Sequence, residues 1–272
     1  MATDNNSYFT NATPGSNLIF DGNIYRLDAT PKYPLGFRVT RADGCVYRYA
    51  QFGAATNRGV LVATDISETG VVDTDNGMIA PASAITTTDG TIGSYFIEIT
   101  MDGVIAGQFA GGYLHTTDDT GEGYTYRIKG NTASGNPTGT NYRLALYDPL
   151  QVAIDATTDY TITPCLYNDV EAATVATDNI VVGVSCATTT SAKPFAFIQC
   201  GGPATVLNDE TVPIIGELLM LSEVTAGAVA PFLTDSVGTV AALEIRGTQL
   251  VGYCIAAGDS TGHTSVFLTI PG

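Results

Sequence analysis

The chain has 272 residues, of which only 14% are Asp, Glu, Lys or Arg, and its 27 acidic and 11 basic side chains leave a net charge of −16. This balance argues against nucleic-acid binding, which depends on clustered Lys and Arg, and the 44% hydrophobic content argues against disorder. Because soluble domains are about 25% charged, we expect an exterior of Thr, Ser, Gly, Ala and Tyr that suits contacts with other chains.

The first 30 residues are polar, rich in Asn and Thr, and broken by Pro14 and Gly15. They contain neither the basic region nor the apolar region of a secretory signal. No apolar run in the sequence approaches the roughly 20 residues that cross a bilayer. We predict that residues 1–30 form an extended N-terminal arm, which becomes ordered by lying on another surface.

Residues 31–175 show the alternation of apolar and polar side chains that is typical of β-strands, and hardly any helical spacing. The clearest runs are Val46–Tyr49, Tyr95–Ile99 and Tyr124–Ile128. Asp-Gly pairs such as Asp43-Gly44 supply the positive-φ positions of tight hairpins. We therefore predict an all-β fold with a hairpin-rich sandwich or barrel domain at 31–175, which ends in a small-residue linker or one short helix at 169–178.

Residues 176–272 contain an internal repeat. A Val-Gly strand, a polar tip and an aromatic strand follow one another in 182–198 and again in 251–270. This pattern predicts a small β-barrel domain at 176–272 that is closed by pairing of the two copies, although two unrelated amphipathic hairpins would look similar. The apolar run Val212–Leu221 lies between the copies and predicts either a central core strand or part of a subunit contact.

The chain offers few groups for catalysis. It has two histidines, His115 after a predicted strand and His263 in a polar tip. Ser260 is close enough in sequence to pair with His263, but the nearest carboxylate, Asp259, adjoins Ser260 and is poorly placed to orient the pair. A solvated turn histidine is the favoured interpretation, and the absence of Trp weakens a glycosidase function.

Two acidic loops could gather oxygen ligands around Ca²⁺. The loop Asp73–Gly77 is not followed by the bidentate Glu that completes an EF-hand. The loop Asp118–Glu122 is better interpreted as an exposed hairpin turn. We therefore predict no catalytic residue, no cofactor or cofactor-binding residue, and no metal ligand.

Cysteine and arginine positions complete the inventory of reactive and charged groups. The cysteines are odd in number and widely spaced, which favours buried free thiols and folding in a reducing cytoplasm. They are Cys45, Cys165, Cys186, Cys200 and Cys254. The basic side chains are densest at Arg38, Arg41 and Arg48, which we interpret as cross-strand ion-pair donors.

Two stretches carry a family resemblance. The first runs from Tyr33-Pro34-Leu35-Gly36-Phe37-Arg38-Val39-Thr40 into Ala42–Ala50, and the second joins Gly121–Lys129 to Leu146-Tyr147-Asp148-Pro149-Leu150. Together they resemble structural proteins encoded by marine tailed bacteriophages. The resemblance implies a virion protein, most similar to a capsid decoration or cement protein that binds the outer face of the major capsid lattice and stabilises the head. It implies no catalytic residues.

The charge agrees with that expectation, because packaged DNA would repel a chain of −16 and favour the outer capsid surface. We expect the major capsid protein and other copies of the chain as partners, with a homotrimer at threefold positions, and neither nucleic acid nor membrane. The alternative is a receptor-binding or fibre protein whose loop 130–141 grips a glycan. A further alternative, an enzyme such as a glycosidase or esterase, would need convergent carboxylates or a Ser-His pair.

Overall fold

The computed structural model describes residues 9–11, 20–65, 85–86, 90–100, 103–135, 141–155, 157–174, 179–209, 212–232, 249–259 and 262–271. Over these ranges the chain forms no helix and builds two antiparallel sheets, one of which curls into a half-barrel. The all-β prediction is therefore confirmed. The chain divides into two compact units, unit 1 with residues 1–64 and 167–272, and unit 2 with residues 65–166.

The strands are β1 (Phe9–Asn11), β2 (Leu27–Asp28), β3 (Arg38–Arg41), β4 (Val46–Gln51), β5 (Leu61–Asp65), β6 (Ile85–Thr86), β7 (Phe96–Thr100), β8 (Tyr113–Asp118), β9 (Thr125–Asn131), β10 (Asn141–Leu146), β11 (Asp159–Thr163), β12 (Val170–Ala172), β13 (Asn179–Ser185), β14 (Phe195–Leu207), β15 (Leu218–Leu221), β16 (Val229–Pro231), β17 (Leu250–Ala256) and β18 (His263–Thr269).

Strand β14 is the centre of the unit 1 sheet. The main path runs β1-β3-β4-β14-β18-β17-β15-β16, and β14 also pairs with β2 and β13. Its first six residues, 195–200, are all buried. They form the near-continuous apolar run that is typical of a strand covered on both faces.

An aromatic cluster covers one end of this sheet. The ring centroid of Phe197 on β14 is 5.1 Å from that of Tyr49 on β4 in an edge-to-face arrangement, and 5.2 Å from that of Phe20. Tyr33 stacks on Phe37 at 4.9 Å. Edge-to-face and offset stacks stabilise aromatic cores beyond the area they bury. A second, mostly aliphatic core lies elsewhere in unit 1 and includes Leu61, Val206, Leu219, Val251 and Val266.

Residues 20–28 belong to unit 1 and pack into its core. Phe20 and Ile24 are buried, and the buried Asp28 carboxylate accepts hydrogen bonds from the Arg26 guanidinium and, at 2.8 Å, from the Tyr49 hydroxyl. The predicted arm at 1–30 therefore differs from the structure over residues 20–28, because these side chains join the aromatic core. Residues 1–8 and 12–19 of the predicted arm lie outside the described residues, and the strand β1 between them pairs with β3.

The internal repeat forms two hairpins, as the sequence predicts. These are β13–β14 and β17–β18, and they pair with each other from Gly201↔Thr269 to Leu207↔His263. The predicted domains 31–175 and 176–272 differ from the compact units, because β4 pairs with β14 and thereby joins residue 46 to residue 201. The predicted linker or helix at 169–178 contains strand β12, which pairs with β5.

Unit 2 contains a six-stranded sheet in the order β11-β8-β9-β10-β7-β6. The predicted runs Tyr95–Ile99 and Tyr124–Ile128 contribute to its strands β7 and β9. Along β10 the side chains alternate regularly between half-buried and buried. The buried side chains on this face form one core that includes Ile97, Leu114, Ile128, Tyr142, Leu144 and Tyr160.

Replacing tyrosine with phenylalanine is expected to have opposite effects on the free energy of unfolding at two buried positions, Tyr142 and Tyr49. The Tyr142 hydroxyl is buried without a hydrogen-bond partner in the described part of the chain, whereas the Tyr49 hydroxyl bonds to Asp28. A buried polar group without a partner costs about 1–3 kcal/mol. We expect Tyr142→Phe to keep or raise the free energy of unfolding and Tyr49→Phe to lower it by about 1–3 kcal/mol.

Urea denaturation followed by far-UV circular dichroism measures both changes. Amide hydrogen exchange assigns each change to unit 1 or unit 2. A loss of stability in Tyr142→Phe as large as that in Tyr49→Phe would contradict the assignment of the two hydroxyls.

Candidate functional site

Four neighbouring strands of unit 1 present a row of large apolar side chains on one face of the sheet. Pro203 of β14 lies opposite Phe267 of β18, and Phe267 lies opposite Tyr253 of β17. Tyr253 in turn lies opposite Leu218 of β15. Directly opposite residues of antiparallel strands share one face. Tyr253 is 37% and Leu218 47% exposed, so this row faces away from the core.

An apolar turn before β15 adds to the row. Ile214 and Ile215 are 74% and 69% exposed. The turn is held along β17 because Gly216 N donates to the Cys254 carbonyl at 2.8 Å and Cys254 N donates to the Glu217 carbonyl at 2.9 Å. Ile255 of β17 is exposed as well. We call this surface the apolar face and define it as Pro203, Ile214, Ile215, Leu218, Tyr253, Ile255 and Phe267.

The structure excludes one of the two interpretations of the run Val212–Leu221. Only Leu218–Leu221 of this run is a strand, and its residues alternate between facing outward and facing the core. The prediction of a central core strand is therefore wrong, because residues 212–217 belong to no strand, contain a turn at 215–216, and are mostly exposed. The subunit contact remains a prediction.

A pocket with a volume of about 700 Å³ adjoins the apolar face and shares Pro203 and Ile255 with it. Its walls come from the β3–β4 hairpin, the turn before β5, the end of β13, and strands β14, β17 and β18, all within unit 1. Ile24 and Val184 supply apolar lining. This volume and this mixture of apolar and polar walls are typical of small-molecule sites.

The charged groups of the pocket are mostly cationic. The Arg41 guanidinium lies 3.4 Å from the Tyr47 hydroxyl and over the Tyr47 ring. Asp43 is exposed at the hairpin tip, where its carboxylate accepts a hydrogen bond from Cys45 N. That bond lowers the pKa of Asp43, so the group is ionised at neutral pH. Arg58 adds a second guanidinium to the lining.

His263 lies against the backbone of Gly59 at the edge of the pocket. Gly59 has a φ of +74°, and a Cβ atom built there would be 2.9 Å from the His263 Nε2 atom. The left-handed backbone therefore favours glycine at position 59, and a larger residue there would also displace the His263 ring. The Gly59 amide donates to the Ser185 carbonyl, which fixes the turn to the end of β13.

Two thiols in the pocket are held in their neutral form. Burial raises the pKa of Cys45, and the nearby Asp43 carboxylate raises it further. Burial likewise raises the pKa of Cys186. Burial also raises the pKa of Cys200, which is not part of the pocket lining, to about 12. Because the thiolate is the nucleophile and the metal ligand, these side chains act as small apolar groups. All five cysteines are free, as predicted.

Sequence reasoning did not single out Arg58, Gly59 or Tyr25, which all line the pocket. The pocket draws on segments that are far apart in the chain, and none of these residues belongs to a recognisable motif. The glycine at position 59 is the one local signal in the sequence, because glycine is the residue that most readily adopts a positive φ. Glycines at turns are common in this chain, however, so this signal does not mark a site.

The two histidines belong to different units and have different surroundings. His115 lies on β8 of unit 2, where its ring nitrogens are 3.2 Å and 3.1 Å from the hydroxyls of Thr125 and Thr163. Burial lowers the pKa of His115. His263 begins β18 and lines the pocket. Ser260 lies outside the described residues, and the Asp259 carbonyl accepts a bond from the Asn208 amide.

The structure describes one of the two acidic loops and part of the loop 130–141 that was predicted to bind a glycan. Residues 73–77 lie outside the described ranges, whereas Asp118 and Asp119 are exposed in the β8–β9 turn. In the loop 130–141, the described Asn131 uses its amide nitrogen to bond to the Ile105 carbonyl and its amide oxygen to accept from Phe109 N. The part of the chain that the structure describes contains no cluster of three or more potential metal ligands.

The arginines of β3 and β4 do not all form the predicted ion pairs. Arg38 lies opposite Arg48 across the two strands. Arg48 donates to the Gly36 carbonyl at 2.7 Å and lies over the Tyr167 ring. Neither Arg38 nor Arg48 has a carboxylate partner in the described ranges. The ion-pair prediction is wrong for these two, because their neighbours across the strands are each other and the aliphatic Ile198.

Comparison with known proteins adds no family. No family model, no curated protein and no solved structure matches the chain. Among the residues described here, no helix has the length and the apolar character needed to span a membrane.

Proposed function

We propose that the chain is a non-enzymatic virion structural protein that decorates the outer face of the major capsid lattice and stabilises the head. The observation that carries the proposal is the apolar face of unit 1, which joins four strands and an apolar turn on one exposed surface. Large exposed apolar patches mark protein contacts in soluble chains. The resemblance of Tyr33–Ala50 and Gly121–Lys129 to tailed-phage structural proteins supports the choice of partner.

Charge distribution supports docking through this face. The seven residues that define it are uncharged, although the chain as a whole carries −16. An uncharged contact avoids the repulsion that acidic surfaces would impose at each lattice position. Aromatic residues at the centre of an interface contribute the largest share of binding energy, and Tyr253 stacks on Phe267 with ring centroids 5.2 Å apart. A homotrimer at threefold positions is part of the same proposal.

Binding to empty shells from the virus that encodes the chain tests the proposal. We expect Tyr253→Asp to weaken binding by about 30-fold or more, because a central aromatic is lost and a charge enters the contact. Co-sedimentation of purified protein with shells gives the affinity. Circular dichroism verifies that the variant is folded.

Tyr147→Asp is the matched control. Tyr147 is a 51% exposed tyrosine of unit 2, so the substitution makes the same chemical change outside the apolar face. We expect the control to bind shells as the unmodified chain does. Equal binding by both variants and the unmodified chain would overturn docking through the apolar face. Mass photometry that shows a monomer both free and on shells would overturn the trimer.

A further inference from the structure

The pocket beside the apolar face has the composition of a binding site for a small anion with an apolar body. We propose that it binds an organic monocarboxylate, with the carboxylate at Arg58 and His263 and the hydrocarbon part along the apolar wall. This site is separate from the proposed lattice contact, and its test does not require capsid shells.

The charge of the pocket favours one negative ligand. The Asp43 carboxylate acts electrostatically on Arg41, whereas Arg58 lines the pocket with no carboxylate partner in the described ranges. This cationic side chain stands out in a chain that has only 11 basic side chains and a net charge of −16. A monoanion neutralises Arg58, whereas a cation would be repelled by it and a dianion would leave a negative charge.

The side chains of Arg58 and His263 line the pocket and have hydrogen-bonding groups without a partner in the described ranges. Arg58 bonds through its backbone N to Thr188, but its guanidinium contacts no acceptor in the described ranges. The His263 ring likewise has no hydrogen-bond partner there. A guanidinium binds a carboxylate through two parallel hydrogen bonds. Gly59 keeps the His263 ring close to the backbone that follows Arg58.

The backbone argues for a carboxylate rather than a phosphate. Phosphate sites commonly use several free amide N–H groups. In this pocket the amide of Gly59 donates to the Ser185 carbonyl, that of Arg58 to the Thr188 hydroxyl, and that of Cys45 to the Asp43 carboxylate. Because these donors are already used, the side chains of Arg58 and His263 must hold the anion, and they suit a group with two oxygens.

The apolar lining explains why the ligand needs a hydrocarbon part. Ile24, Val184, Pro203, Ala204 and Ile255 all contribute to the walls, and the pKa values of the Cys45 and Cys186 thiols are raised so that both remain neutral. A pocket of about 700 Å³ is far larger than acetate. An aliphatic chain gains about 0.8 kcal/mol for each CH₂ group it buries, so affinity should increase with chain length.

Octanoate is the probe, and octylammonium and 1-octanol are its matched controls. Octanoate is titrated into the full chain and followed by ¹H–¹⁵N NMR. We expect the amide signals of Arg58, Gly59 and His263 to shift with octanoate, and acetate to bind more weakly. Octylammonium should not bind, and octanol should bind at least 10-fold more weakly than octanoate, because a charge-assisted hydrogen bond is lost.

Variants assign the carboxylate contact. We expect Arg58→Gln to weaken octanoate binding by about 10-fold or more, and Arg127→Gln, an equal change at an exposed arginine of unit 2, to leave it within about 2-fold. Since Arg58 is exposed, its replacement should not affect folding, and thermal unfolding verifies this. Equal binding of octanol, unchanged affinity in Arg58→Gln, or no signal shift up to the solubility limit of octanoate would each overturn the proposal.

Discussion

Replacing Asp28 with asparagine is expected to destabilise unit 1 by about 1.5–3 kcal/mol, because it removes the buried charged acceptor of Arg26 and Tyr49 and leaves Arg26 with only the half-exposed Asp21 carboxylate as a described ion-pair partner. The Arg26 guanidinium bonds to both Asp28 oxygens, with Nη2 to Oδ1 at 2.8 Å, and the Arg26 side chain is 14% exposed. The Tyr49 hydroxyl also donates to Asp28. The network holds residues 20–28 on the sheet, so its loss should loosen the aromatic core.

Urea denaturation followed by the circular dichroism of tyrosine and the backbone measures this change, since the chain has no Trp. Asp43→Asn is the matched control. Asp43 is exposed, and an asparagine oxygen can still accept the bond from Cys45 N. We expect the control to change the free energy of unfolding by less than about 0.5 kcal/mol. Similar stabilities for the two variants would contradict a structural role for the Asp28 network.

Gly252→Ala is expected to destabilise the β17–β18 hairpin by about 3 kcal/mol or more. A Cβ atom at Gly252 would lie far inside van der Waals contact with the Phe267 carbonyl oxygen. That oxygen is part of the backbone of β18 and cannot rotate away, so the two strands would have to separate. Denaturation measures the loss, and hydrogen exchange should show that it is concentrated in β17 and β18.

Alanine substitutions at two other glycines serve as comparisons for this prediction. Gly183 is the equivalent residue in the first copy of the repeat, and its Cβ would be 2.9 Å from the Gln199 carbonyl oxygen, so we expect a smaller loss for Gly183→Ala. Gly130 has no atom within 4 Å of an added Cβ. Gly130→Ala should therefore leave stability unchanged or raise it by up to about 1 kcal/mol. A Gly252→Ala variant as stable as Gly130→Ala would show that the strands are not packed this closely.

Gly183 and Gly252, the two glycines of the repeat, show what the sequence could predict about these hairpins and what it could not. The Val-Gly pairs at 182–183 and 251–252 identify two related strands, and the structure confirms both hairpins and their pairing. The physical reason for glycine, however, is the approach of a carbonyl group from the neighbouring strand. That carbonyl belongs to a residue about 15 positions later, and its position depends on the register of the hairpin.

Local features of the sequence determined the strand content and several turns. The alternation along Val46–Tyr49 and Tyr124–Ile128 and the Asp43-Gly44 turn depend on residues next to one another, where side-chain direction and backbone φ are decided. Gly44 has a φ of +85° in the structure. The free state of the cysteines likewise agrees with their wide spacing.

Only the tertiary structure decided which strands meet and which surfaces they leave open. The pairing of β4 with β14 brings together residues about 150 positions apart and places Phe20 in the core instead of on an arm. The run 212–221 is apolar whether it is buried or exposed, so its composition could not distinguish a core strand from the apolar face. The pocket draws Arg58 and His263 from distant segments, because long-range strand pairing is not encoded in any local pattern.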